Sequence, residues 1–274
     1  MLTIVAGVAS DTGRKRKNNE DSWLVFEPKS KRLIKTKGRL YAVADGMGGA
    51  VAGEVASRLA LDELKKQYFW GIQAALPEKC LEQAVLAAHE AVWRKAFAEP
   101  EYTGMGSTLT AVVLKDEAAH IAQVGDSRAY LVRGVTIKQL TRDHTVVANL
   151  VYKGELDPAE AWNHPQRHVL TQALGSRKEI TVELRSYPVG AGDILILCTD
   201  GLYNLVLEED IRDTVTATSN CQEAAERLIK LANERGGHDN ITALVLRIGR
   251  PKKSLTLNNL SFWKAKSVSF ISIK

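Results

Sequence analysis

Short apolar runs, some of them alternating with polar residues, recur along much of this chain. They predict β-strands at Thr3–Ala9, Trp23–Phe26, Leu40–Ala44, Thr108–Leu114, Ala118–Val124, Arg128–Val132, Thr136–Leu140, Ile180–Tyr187, Ile194–Cys198 and Ile241–Ile248. Apolar residues at three-to-four spacing predict helices at Ala52–Phe69, Glu78–Ala98, Leu207–Val215 and Gln222–Arg235.

The order of these elements indicates the fold class. Strands follow one another in closely spaced runs, and the helices come in pairs instead of after every strand. This order favours an α+β fold with a central antiparallel β-sandwich flanked by helix pairs, in four α-β-β-α layers, over a doubly wound parallel sheet. A chain of 274 residues, 45% of them hydrophobic, can bury one large core.

The first ten residues, MLTIVAGVAS, are apolar but contain no basic residue, so they predict a strand and not a signal peptide. No run reaches the roughly 18 apolar residues of a membrane span. The three cysteines are odd in number and show no paired spacing, which argues against disulfides and a zinc site. We therefore expect a soluble, cytoplasmic protein.

The net charge of +5 is concentrated at one end of the chain. Residues 250–274 contain six basic residues and no acidic residue, while the rest of the chain is close to neutral. A near-neutral body argues against a nucleic-acid groove. The basic segment 250–274 is predicted to be a flexible tail. The alternative is that it docks to an acidic partner or an anionic membrane surface.

Acidic residues stand repeatedly at the ends of apolar runs. They are Asp45 in YAVAD, Asp126 in AQVGD, Asp200 in ILILCTD, Asp239 before ITALVL, and Glu20 with Asp21 before SWLVF. Each one alone has a second interpretation as a turn residue. Together at the rims of buried strands they would repel one another unless cations compensate, and all-oxygen donors favour Mg²⁺ or Mn²⁺ over Zn²⁺.

Arg16 lies four residues before Glu20, within GRKRKNNED. An arginine there can grip two oxygens of a phosphate beside the metal rim. The alternative is that the basic run is simply a solvated surface.

Eight motifs, taken in chain order, resemble the PPM or type 2C protein phosphatases. They are RKNNED (16–21), DGMGG (45–49), GSTL (106–109), GDSRAY (125–130), LTRDHT (140–145), HVLTQALG (168–175), CTDGL (198–202) and GGHDNIT (236–242). The resemblance spans residues 3–248 and is greatest to compact bacterial members with a single catalytic domain. It implies a β-sandwich with a two-metal centre in a cleft at one end.

The resemblance also implies a role for each matched residue. Asp45 would bridge both metals, Gly46 would offer its carbonyl to the first, and Asp200 with Asp239 would bind the second. Glu20 and Asp21 would hold metal-bound waters, and Asp126 would bind a third, weaker metal. Arg16 would bind the substrate phosphate. Asp45, Asp200 and Asp239 are thus the residues expected to support catalysis.

The implied reaction is hydrolysis of phosphoserine and phosphothreonine on proteins. Two or three Mn²⁺ or Mg²⁺ ions would serve as cofactors, with a pair about 3.5–4 Å apart activating a water. The expected substrates are those of a cognate serine/threonine kinase, and a monomer is expected. Residues 1–249 would form the catalytic domain, with a flap at about 144–167.

The sequence departs from the family at a proposed general acid. Many members have histidine directly after DG or at the end of DGMGGH, where this chain has Met47 and Ala50. Water would then protonate the leaving group, or His168 would reach it from the flap; a structural role for His168 is the competing interpretation.

Two other functions remain open at this point. A non-catalytic phosphoprotein-binding relative would keep the fold and Arg16 without turnover. A nucleotide-binding loop at DGMGGA is a weaker hypothesis, because the segment lacks the P-loop lysine and the G-x-G-x-x-G spacing.

Overall fold

Two antiparallel sheets form the centre of the fold in this computed structural model, which describes residues 2–48, 52–74 and 76–250. The strands are β1 (Thr3–Asp11), β2 (Asp21–Phe26), β3 (Arg39–Met47), β4 (Gly106–Ser107), β5 (Leu109–Lys115), β6 (Ala118–Val124), β7 (Arg128–Arg133), β8 (Thr136–Gln139), β9 (Glu183–Pro188), β10 (Ile194–Cys198) and β11 (Ile241–Gly249). One sheet has the order β1-β11-β10-β7-β8. The other has the order β2-β3-β5-β6-β9, with β4 paired to β3.

Helices cover the outer faces of both sheets. They are α1 (Lys31–Lys37), α2 (Ala52–Lys66), α3 (Pro77–Ala98), α4 (Val146–Tyr152), α5 (Pro158–Ala161), α6 (Asp200–Tyr203), α7 (Glu208–Ala217) and α8 (Cys221–Glu234). A π-helical turn, Gln67–Gly71, continues α2, and a 3₁₀ turn, Pro100–Tyr102, follows α3. No helix within the described ranges is long and apolar enough to cross a bilayer.

Three apolar layers hold these elements together. The first lies between α2, α3 and the β3 sheet, where small residues such as Ala56, Ala60 and Ala84 let the helices pack closely. The second lies between α7, α8 and the β11 sheet. The third fills the space between the two sheets, with Tyr41 and Leu195 among its fully buried side chains. The predicted sandwich with paired helices on each face is therefore confirmed.

The predicted elements occur with shifted ends. Strand β3 continues past its predicted end at Ala44 to Met47, because β4 pairs with it at Gly46 and Met47. The sequence pattern missed the short helices α1, α4, α5 and α6, since one or two turns present too little apolar periodicity. Helices α4 and α5 lie within the stretch predicted as the flap, and the tail beyond Arg250 lies outside the described residues.

Candidate functional site

The predicted aspartates gather at one end of the sandwich. Asp45, in β3, stands directly opposite Asp21, the first residue of β2. Asp200 begins α6 just after β10, and Asp126 lies in the turn between β6 and β7. Asp239 precedes β11. Residues distant in the chain are thus brought together by strands that end at the same edge.

A cleft of about 880 Å³ opens at this edge. Its lining includes Arg16, Asp45, Met47, Asp126, Trp162, Arg167, His168, Asp200 and Asp239. Asp21 and Asp126 are buried, whereas Asp45 and Asp200 are partly open to the cleft. The opening is large enough for a phosphorylated side chain.

Crowding of these carboxyl groups raises their pKa values. Loss of hydration on burial is the largest cause for each group. The pKa is raised to about 7 for Asp21, about 8 for Asp126 and about 6 for Asp200. The pKa of Asp45 is also well above its usual value, because burial is reinforced by repulsion from Asp21 and Asp200. A site that disfavours its own negative charges is suited to a cation.

Two threonine hydroxyls hold Asp21 across the sandwich. Thr199 and Thr242 donate to Asp21 Oδ2 at 2.8 and 2.6 Å. Thr199 Oγ1 also accepts the backbone N–H of Thr242, so its own proton is directed to the carboxylate. Neither threonine stood out in the sequence, although Thr199 lies in CTDGL and Thr242 in GGHDNIT.

The donor set fits a hard divalent ion. Asp21 Oδ1 and Asp200 Oδ1 are buried and have no hydrogen-bond partner, which is costly unless a cation or water meets them. Within the described ranges, no three His, Cys, Asp or Glu side chains are arranged to hold an ion by themselves. Mg²⁺ commonly takes one or two carboxylates and keeps several waters, so it does not require three side chains arranged around one ion.

The end of β3 is fixed from two sides. Thr108 Oγ1 accepts from the Asp45 N–H at 2.9 Å, and the Thr108 N–H donates to the Asp45 carbonyl at 2.8 Å. A Cβ on Gly46 would lie 2.0 Å from the Gly53 carbonyl oxygen, so the first turn of α2 can approach only because residue 46 is glycine. The backbone beside Asp45 is therefore held rigidly.

Arg16 and Asp239 form an ion pair at the mouth of the cleft. Arg16 Nη2 donates to Asp239 Oδ2 at 2.7 Å, and the two side chains are 53% and 33% exposed. This hydrogen bond is the main reason that the pKa of Arg16 is raised. The predicted phosphate-binding residue thus contacts a predicted metal ligand.

Glu20 lies next to this pair. Burial raises its pKa first, and Asp239 adds repulsion while Arg16 opposes it. The side chain of Asn240 accepts from the Glu20 N–H at 2.8 Å and donates to the Asn18 carbonyl at 2.8 Å. Asn240 therefore ties the RKNNED segment to the start of β11, another role that the sequence did not reveal.

His168 reaches the cleft from the flap side. Its Nδ1 lies 3.9 Å from Asp200 Oδ2, and its Nε2 accepts from Arg167 Nε at 2.8 Å. Burial and then the Arg167 charge lower its pKa, so the neutral form is favoured at neutral pH. Met47 also lines the cleft, whereas Ala50 lies outside the described residues.

Comparisons with known proteins identify the family of this chain. The family model described as Protein phosphatase 2C matches residues 14–234. The chain is 38% identical over 240 residues to the serine/threonine phosphatase stp of Listeria welshimeri, covering 86% of this chain and 93% of that protein. It is 40% identical over 245 residues to PstP of Mycobacterium tuberculosis, covering 89% of this chain and 45% of that protein.

Solved structures show the same architecture. The M. tuberculosis PstP/Ppp crystal structure superimposes with a TM-score of 0.80 at 36% identity, covering 91% of this chain and all of that one. A PstP catalytic domain in complex with two manganese ions gives a TM-score of 0.77 at 35% identity, with the same coverage. Fold and site together define a metal-dependent protein serine/threonine phosphatase. The chain belongs to the protein phosphatase 2C family.

Proposed function

We propose that this chain removes phosphate from phosphoserine and phosphothreonine of other proteins at a centre of two or three Mn²⁺ or Mg²⁺ ions in the cleft. The observation that carries the proposal is the set of buried, mutually repelling carboxylates, two of which keep an unpartnered oxygen. The manganese-containing PstP structure supports the choice of ion. When bound, such ions lower the pKa of a water and neutralise charge on the phosphoryl group.

The chain's own residues divide the work of holding the ions. Asp45, fixed by Thr108, would contact both ions, and Gly46 would offer its carbonyl to one of them. Asp200 and Asp239 would hold the other ion. Glu20 and Asp21 would orient waters, and Asp126 would serve a third, weaker site.

The substrate phosphate would be bound by Arg16. Its guanidinium lies at the cleft mouth, hydrogen-bonded to Asp239, and its remaining N–H groups would donate to the phosphate oxygens. For the leaving group, His168 Nδ1 faces Asp200, but its neutral form is a weak acid. We therefore propose water as the proton donor, with His168 ordering the flap.

We also propose the substrates, location and domain bounds of the protein. The substrates would be those of a cognate serine/threonine kinase, and the protein would act as a cytoplasmic monomer. Residues 1–249 would be the catalytic domain, with residues 144–167 as its flap. Of the proposed basic tail, residues 251–274 lie outside the described residues.

The two competing functions are less well supported. A non-catalytic binding module would not need the full carboxylate set, and the matched relatives are named as phosphatases. The nucleotide-binding hypothesis is weakened because Asp45, the first residue of DGMGGA, lines the cleft with its carboxylate. The segment also lacks the lysine of a phosphate-binding loop.

A phosphate-release assay tests the proposed function directly. Wild-type protein with a phosphothreonine peptide should release phosphate in Mn²⁺ or Mg²⁺ and none in chelator. The same ions should raise the melting temperature, because they neutralise the buried carboxylates and bind only the folded chain. Binding of the peptide without release would restore the non-catalytic alternative, and the absence of any ion-dependent melting shift would refute the metal centre.

The hydroxyl clamp on Asp21 gives a second test. Thr242→Val keeps the shape of the side chain but removes one of the two donors to Asp21 Oδ2, so the carboxylate loses orientation. Supporting contacts of this kind are worth about 10–100-fold in metal affinity. Titration calorimetry should show Mn²⁺ affinity reduced by that factor.

Thr218→Val is the matched control, because Thr218 is also buried but its hydroxyl has no hydrogen-bond partner. That variant should bind Mn²⁺ like the wild type. Equal Mn²⁺ affinity in Thr242→Val and Thr218→Val would show that the Thr242 hydroxyl does not support metal binding through Asp21.

A further inference from the structure

A second cavity, of about 740 Å³, adjoins the catalytic cleft. The two spaces share Asp126, Trp162, Arg167, His168 and Asn204 in their linings. It lies between the segment carrying α4 and α5 and the surface formed by β7, β8 and α6, and we call it the flap cavity. Anything bound at the catalytic carboxylates therefore has direct access to it.

The flap side of this cavity is mainly apolar. Its wall is formed by Val147, Val151, Tyr152, Pro158, Ala161 and Trp162. Tyr152 is 73% exposed and Trp162 is 49% exposed, so both rings line the cavity and are accessible from solvent. Exposed aromatic residues at the edge of a pocket are the side chains that most often anchor a protein partner.

Arginines hold both rings from one side. The Arg142 guanidinium lies 4.5 Å from the centre of the Tyr152 ring, and that of Arg167 lies 5.6 Å from the Trp162 ring. Arg167 also donates to the Trp162 carbonyl at 2.7 Å. The rings are thus positioned before any ligand arrives, which lowers the entropic cost of binding.

Part of the charge that lines this cavity is paired within the protein. Arg128 makes a two-point contact with Asp143, with donor–acceptor distances from 2.7 to 3.1 Å. Arg142 pairs with Glu183 at 3.2 Å. The cavity is also lined by Asp126, Glu208 and Arg167. The two acidic residues, together with the apolar flap side, favour an uncharged, large side chain over a second anion.

We propose that the flap cavity binds a large apolar side chain of the protein substrate, close in sequence to the phosphorylated residue. This inference rests on the proposed phosphatase function and names a substrate feature for it. An extended peptide advances about 3.3 Å per residue, so a side chain within about three positions of the phosphoresidue lies in reach of the adjoining space. Trp162 borders both spaces and Tyr152 borders only the flap cavity.

A matched peptide set tests the proposal. Phosphothreonine peptides carry phenylalanine at one of the three positions on either side, in an otherwise alanine background, with 4-nitrophenyl phosphate as a substrate that lacks flanking residues. For wild type, phenylalanine at one or more positions should raise kcat/KM about 10-fold over alanine. In Tyr152→Ala that gain should fall to about 3-fold or less, when kcat/KM is normalised to 4-nitrophenyl phosphate.

Two variants make the result specific. Tyr152→Phe keeps the ring and should retain the gain, whereas Phe97→Ala removes an aromatic residue that is 85% exposed elsewhere and should not alter it. A gain that persists in Tyr152→Ala, or no preference at any position in an active enzyme, would overturn the flap-cavity proposal alone. If the wild type hydrolyses neither the phosphothreonine peptides nor 4-nitrophenyl phosphate in Mn²⁺, the proposed function itself is refuted.

Discussion

Asp45→Asn should lower kcat/KM for a phosphopeptide by about 10³-fold or more, since the loss of ion-dependent charge stabilisation is worth several kcal/mol. The same variant, in chelator, should be more stable than chelated wild type. Asp45 adds a charge to a cluster in which burial and the neighbouring aspartates already raise its pKa. Removing that charge relieves the repulsion, and the Mn²⁺-induced rise in melting temperature should be lost.

The stability gain should depend on pH with a definite sign. A carboxyl group whose pKa is raised by folding takes up protons when the chain folds, so its destabilising contribution grows as pH rises above the unfolded value of about 4. Burial raises the pKa values of the neighbouring Asp21, Asp126 and Asp200 to about 6 to 8 in the folded protein. Thermal unfolding in chelator between pH 4 and 8 should therefore show a widening advantage of Asp45→Asn.

Asp193→Asn is the control, because its expected change in stability is opposite to that of Asp45→Asn. Asp193 is buried away from the cleft, and hydrogen bonds from Arg133 at 2.7 and 2.8 Å lower its pKa. This variant should lose stability at neutral pH and keep its turnover. Normal ion-dependent turnover in Asp45→Asn would refute the assignment of Asp45 to the metal centre.

Arg16→Ala should raise KM for a phosphopeptide about 10–100-fold, which corresponds to loss of a charged, two-point contact with phosphate. Arg16→Lys should show a smaller increase in KM, because lysine keeps the positive charge but cannot make the two-point contact of the planar guanidinium. The inhibition constant of inorganic phosphate should rise in parallel. Mn²⁺ affinity should not fall, because the substitution removes a cation that competes for Asp239.

Lys15→Ala separates this role from a general effect of the basic run, since Lys15 is an exposed neighbour in the same segment. KM should be close to that of wild type. If Arg16→Ala and Lys15→Ala change KM equally, Arg16 belongs to a solvated surface and not to the phosphate site.

Much of the fold could be predicted because its strands are long, apolar and bounded by clear turns. The strand-end aspartates could also be predicted to meet, since strands of one sandwich end at shared edges. Their roles as ligands stay predictions, as do those of Glu20, Gly46 and Arg16. Local patterns indicate which residues lie near a rim but not which atoms contact each other.

The contacts that escaped prediction connect residues distant in sequence. Asp21 meets Thr199 and Thr242 at separations of 178 and 221 residues, and Arg16 meets Asp239 at 223. No periodicity or turn rule encodes such pairs. The contacts of Asp21 arise only when the two sheets stack, and the contact of Arg16 arises only when β1 pairs with β11. The flap cavity was missed because Tyr152 ends the short helix α4 and Trp162 directly follows the short helix α5, and such short segments show little apolar periodicity.

Asp21 belongs to one sheet, whereas the threonines that grip it extend from the other. The carboxylate cluster therefore lies at the interface between the two sheets, and neither sheet alone supplies all of its residues. A small slip of one sheet against the other would misalign the acidic residues before any strand melted. Catalytic competence is consequently a stricter requirement on this chain than the formation of its secondary structure.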